Sequence, residues 1–195
     1  MRIYRAFYLL IIAMMANFDL NAQVRFPVTK NDLRNNLEKI ISDYPYGFGS
    51  LKGDTLYENP QTIEFASRLD FKTAEENSIT EYKSAHPVYS WSATLLTTED
   101  FNEASTKYSW LNNQLKVMSL TFQGSYSYSL TGSPEPASET RKFSSGIFSL
   151  MPRARDLPKI KIETSITFEF PEWKVKLMVY EKEREDDERG NPNGE

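Results

Sequence analysis

The chain of 195 residues holds one histidine, His86, and no cysteine. Those two facts dispose of much chemistry. A Ser-His-Asp triad or a histidine-bound metal would have to use His86, and Pro87 after it biases that residue toward extended backbone at a strand entrance. One histidine without thiolates cannot assemble the usual zinc ligand sets within one chain. The acidic run Asp186, Asp187 and Glu188 lacks the ordered ligand loop of an EF-hand and reads as a solvated charge run. Ser50, in Gly47-Phe-Gly-Ser-Leu-Lys-Gly53, does not have the spacing of a nucleophile elbow. The same glycines do not form a phosphate loop, because Asp54 stands where Lys-Ser or Lys-Thr would be needed. No serine is followed three residues later by lysine. With 27 acidic residues in the chain, paired carboxylates for glycoside cleavage are numerous, so no particular pair is informative. No catalytic set, cofactor site or metal site is expected.

Two sets of side chains could make a recognition surface. Lys159, Lys161, Lys174 and Lys176 fall on the outward parity of a hairpin, with Arg153 and Arg155 just before it. Such a basic field could receive an anionic partner, although lysines on a sheet also discourage aggregation. Tyr89, Trp91, Tyr126 and Tyr128 could form an aromatic platform for sugar or peptide. Their parity matches the apolar face, which favours core packing instead.

The element that positions the lysines is the clearest stretch of the chain. Ile160, Ile162, Ile166, Phe168 and Phe170 share one parity, with Lys161, Glu163, Ser165, Thr167 and Glu169 between them. That alternation marks a strand buried on one face. After Pro171 and Glu172 it resumes with Trp173, Val175, Leu177 and Val179 inward. Pairing Phe168 with Val175 and Ile166 with Leu177 sets Glu169 opposite Lys174, an opposite-charge pair, across a four-residue loop. A lone hairpin is marginal in water, so the remainder of the chain must cover this apolar face.

Upstream, Thr29 to Leu33 reads as a helix start, with Val28 and Leu33 as a staple. Leu33, Leu37, Ile40, Ile41 and Tyr44 form its stripe until Pro45. A glycine-punctuated turn or irregular strand follows, extended by Thr55 to Tyr57. Ile63, Phe65, Leu69 and Phe71 mark a strand, Ser78 to Ser84 a short one, and Tyr89, Trp91, Ala93 and Leu95 another. Leu96 to Phe101 repeats the first helix start 68 residues on and opens a second helix striped by Phe101, Ala104, Tyr108, Leu111 and Leu115. Leu120, Phe122, Tyr126, Tyr128 and Leu130 then read as one regular strand. Thr131 to Thr140 is a loop, and Phe143 to Met151 a strand whose Gly146 and mixed parity suggest a bulge or burial on both faces. The expected fold is α+β: a two-layer sandwich, with an antiparallel sheet of about six to seven strands and two helices on one face. The repeated start has two readings. It is either a common capping pattern or the trace of a duplicated helix-plus-meander unit, with halves 28–96 and 97–181.

The ends of the chain set its destination. Residues 1–22 have a basic start, an apolar run from Ala6 to Ala16 and a polar region ending at Ala22, the pattern of a secretory signal peptide. The apolar run spans about 16 Å as a helix, roughly half a bilayer core. This segment resembles the signals of bacterial exported proteins, which implies the periplasm or the medium. Losing Arg2, Arg5 and Asp19 with it moves the net charge from −4 to about −5. Residues 23–181 are expected to form a single domain held without disulfides, and 182–195 a disordered charged tail. An acidic balance argues against nucleic acid, and no transmembrane segment is expected after signal removal. The leading expectation is an exported, non-catalytic binding protein of the bacterial cell envelope that takes a protein or a small ligand. A carboxylate-based hydrolase of polysaccharide or cell-wall material is the first alternative, and a carbohydrate-binding module the second.

Overall fold

The computed structural model describes residues 29–122, 126–152 and 159–181. The signal segment, the charged tail, Val28, Arg153 and Arg155 lie outside the described residues. Helix α1 (Lys30–Asp43) begins where Thr29 Oγ1 accepts the Asp32 N–H at 3.2 Å and donates to the Asp32 carboxylate at 2.7 Å. Its stripe of Leu33, Leu37, Ile40 and Ile41 is fully buried. Pro45 ends it in a short 3-10 turn, and Gly47 takes the left-handed conformation (φ 60°) that lets its N–H cap the Tyr44 carbonyl.

Nine strands follow among the described residues, interrupted once by helix α2 (Phe101–Lys116). They are β1 (Lys52–Glu58), β2 (Thr62–Ser67), β3 (Glu76–Tyr82), β4 (Val88–Thr98), β5 (Ser119–Phe122), β6 (Tyr126–Gly132), β7 (Phe143–Met151), β8 (Ile160–Glu169) and β9 (Glu172–Glu181). All pair antiparallel in one open sheet of order β1-β2-β3-β4-β9-β8-β7-β6-β5. Each helix thus precedes a meander, and the two meanders join where β4 meets β9. The α+β class holds, with nine strands in place of six to seven.

Two of the extra strands have a simple origin. The expected single strand from Leu120 to Leu130 is a hairpin, in which Leu120 faces Tyr128 and Phe122 faces Tyr126. Directly paired residues share a face, so folding the stretch back leaves its parity unchanged and its alternation blind to the turn. Strand β1 is a full edge strand, although its bulged pairing with β2 breaks the regular pattern.

Side chains line up in rows across the sheet. On the inner face one row runs Phe65, Ile79, Trp91, Val179, Ile162 and Phe148, and the next runs Asn77, Ala93, Leu177, Thr164 and Gly146. The second row is mostly small, and α2 packs down over it: Asn112 Oδ1 accepts the Thr164 hydroxyl at 2.6 Å. A Cβ on Gly146 would stand 3.1 Å from that same Asn112 oxygen and 2.9 Å from Pro134 Cα. The glycine is therefore a close-approach position within regular β7, whose alternation is clean rather than bulged. Helix α1 joins the same core, with Phe48 after it edge-on to Tyr89.

The β8–β9 hairpin keeps its faces but shifts register by two residues. Phe168 pairs with Trp173, Ile166 with Val175 and Glu169 with Glu172, so the loop is only Phe170-Pro171, joined by a cis bond. Phe170 consequently projects into solvent, 89% exposed. The Phe168 and Trp173 rings meet at 5.0 Å, which replaces the expected contact of Phe168 with Val175. Leu69 and Phe71, expected on β2, follow its end at Ser67 and are nevertheless buried, Phe71 stacking on Trp91.

The repeated helix start divides differently at its two copies. Thr29 caps α1, but α2 is capped by Asp100, the counterpart of Asp32, while Thr97 still belongs to β4. Matching letters take up roles three residues apart.

Candidate functional site

Both helices lie against the inner face, so the outer face carries the alternate residues of each strand, polar on most of them but including the exposed Phe143, Ile147 and Met151 on β7. Its central rows are Ala66, Ser78, Ser92, Met178, Glu163 and Ile147, then Glu76, Thr94, Lys176, Ser165 and Ser145. The next row along the strands, which reaches β1, is Tyr57, Glu64, Thr80, Ser90 and Tyr180.

The expected lysine field separates into parts. Lys174 and Lys176 both turn to Glu169, at 2.7 and 2.9 Å. Hydrogen bonds from Lys174 and then Lys176 hold the Glu169 carboxyl below the usual range, and the Glu169 partnership raises Lys174 in return. Lys161 pairs with Tyr180, four residues beyond Lys176 and hence about 13 Å along the strand. Its ammonium donates to Ser149 Oγ at 2.7 Å. Glu163 lies between these groups and accepts the Tyr180 hydroxyl at 2.8 Å; burial, then Glu163, pushes that phenol well above its ordinary value. Lys159 sits half-buried just before β8.

The aromatic set is also divided. Trp91 is 0% exposed, its indole N–H donating to Ser67 Oγ at 3.2 Å, and Tyr128 is buried against Phe122. Tyr126 is 71% exposed, while Tyr89 packs beside Phe48 and under the Lys52 ammonium. These four residues do not make a platform. Core packing removes Trp91 and Tyr128 from it. His86 is exposed in the β3–β4 turn, where its carbonyl accepts from the Ser84 hydroxyl. Among the described residues no three His, Asp or Glu side chains converge to hold a metal, and no helix is long and apolar enough to cross a membrane.

Sequence reasoning overlooked one place on the outer face. The small side chains of Ser78 and Ser92, 3.4 Å apart, form the floor of a shallow depression of about 250 Å³. Glu64 stands on one side, Glu76, Thr94 and Lys176 on the other, and Leu56 at the rim. Glu76 accepts the Thr94 hydroxyl at 2.9 Å. The Lys176 charge is already engaged by Glu169. Glu64 is half-buried and has no hydrogen-bond or ion-pair partner among the described residues. With no described partner, this carboxylate is an acceptor available to a ligand. The signal in the sequence was the outward series Ser90, Ser92, Thr94, whose small size leaves a trough once larger rows flank it.

Beside the depression lies β1, the open end of the sheet. The opposite edge is covered: Glu38 of α1 accepts the outward N–H of Thr121 on β5 at 2.8 Å. No described element pairs with the free side of β1. A register irregularity between Thr55 and Tyr57 turns both Leu56 and Tyr57 toward the outer face, where each is more than half exposed. Comparison of the chain with protein-family models, with curated proteins and with solved structures finds no match.

Proposed function

We propose that this is an exported, non-catalytic binding protein of the bacterial cell envelope, and that it recognises a partner protein with the outer face of its sheet. One observation carries the reading: two helices cover the inner face while the outer face stays open, with a shallow hydroxyl-floored depression at its free-edge side. A shallow open surface suits recognition by contact, whereas a hydrolase needs its two acids enclosed around a substrate. The signal-like start supports export, and the order helix-meander, helix-meander supports descent from a duplicated unit with halves 28–96 and 97–181.

The test is capture from the envelope fraction by crosslinking, with wild type and Ser92→Arg compared. Arginine at this outward position fills the depression without touching the core. The expected result is a defined partner lost in the variant. Equal capture by both proteins overturns the assignment of the outer face. Release of sugars from cell-wall polymer, abolished by Glu76→Gln, overturns the non-catalytic reading in favour of a hydrolase. An exported protein beginning at Gln23, read by N-terminal sequencing, checks the destination.

A further inference from the structure

We propose that the partner presents a short extended basic segment, which adds to the free edge of β1 and seats a lysine or arginine against Glu64. This deepens the preceding reading and rests on it. Three observations converge. First, no described element pairs with one side of β1, which meets the requirement for strand addition. Second, the edge and the depression are contiguous, because Leu56 belongs to both. Third, the charge is one-sided: Glu64 has no described partner, Asp54 is exposed on β1 itself, and Lys176 is committed to Glu169.

The distances suit this arrangement. Neighbouring strands lie about 4.8 Å apart, so an added strand stands about 10 Å from β2, within the combined reach of lysine and glutamate side chains. The register shifts on both sides of Thr55 interrupt the edge of β1, so any new ladder is short. So short a ladder binds weakly by itself, and most of the selectivity must come from the side chain that crosses Leu56 into the depression. A charge-assisted hydrogen bond to a half-buried carboxylate supplies it.

A seven-residue peptide alternating lysine with valine serves as the probe, titrated calorimetrically into the protein purified after export. Saturable one-to-one binding is expected, with slowed amide exchange confined to β1. Glu64→Gln should weaken it about tenfold. A glutamate-for-lysine peptide should not bind, nor should peptides N-methylated on alternate residues, which retain charge but cannot form the ladder. Absence of binding at millimolar peptide overturns the proposal. So does equal binding by the N-methylated peptides, equal affinity for N-acetyl-lysine amide alone, or concentration-dependent self-association that protects β1 without peptide. If the envelope partner is lost in Ser92→Arg but is captured equally by Glu64→Gln and in the presence of excess peptide, the outer-face reading stands and strand addition fails.

Discussion

Gly146 shows how a single side chain, or its lack, sets the spacing of two layers. Alanine there would force Pro134 and the Asn112–Thr164 hydrogen bond apart. Gly146→Ala should cost about 1–3 kcal/mol, the range for overpacking, measured by urea denaturation. Thr164→Val keeps the volume but removes the donor to Asn112 Oδ1, and should cost a similar 1–3 kcal/mol or so. Glu169 gives the pH-dependent case. Its carboxyl is held below the ordinary glutamate value by Lys174 and Lys176. The stabilisation is therefore full above about pH 4.3 and is lost as pH falls through the depressed folded value. Because Glu169 is 42% exposed, solvent screens the pairs and the gain is under about 1 kcal/mol. The stability difference between wild type and Glu169→Gln should shrink between about pH 5 and pH 3, and should also shrink in high salt.

At the scale of elements, the β8–β9 hairpin and α1 make contrasting contributions. Ile166 and Leu177 are buried at the middle of the sheet, so replacing either by alanine should lower stability by about 2–5 kcal/mol in the same denaturation assay. Helix α1 gives packing and also closes the β5 edge through Glu38. Glu38→Ala should leave the global midpoint within about 1 kcal/mol. It should also speed hydrogen exchange at the Thr121 amide, because that donor is then opened to water. If Thr121 exchange is unchanged, the helix does not guard the edge through this contact. The hairpin's inward residues were legible from alternation, but its register was not. A shift of two preserves every face, and the choice fell to the turn at Pro171 and to the aromatic pair Phe168–Trp173.

Across the whole molecule, the two meanders share one continuous core through β4 and β9. Such a core predicts one cooperative transition, with far-UV and near-UV circular dichroism coincident on heating. Ile79→Ala in the first meander should shift both signals together. Separate transitions would show instead that the two helix-plus-meander parts are independently stable.

Alternation of apolar and polar residues, the helix stripes and the caps determined the class of fold and the inner face of nearly every strand. Those features depend only on near neighbours in the chain. Tertiary structure alone decided that Leu120–Leu130 folds back on itself, that Trp91 and Tyr128 are core rather than platform, and that the outward lysines divide between Glu169 and Ser149. The depression belongs to the same class: Glu64, Glu76, Ser78, Ser92 and Lys176 come from four strands, and only pairing order makes them neighbours. Period-two patterning tells a side chain which face it takes, but carries no information about which strand lies alongside.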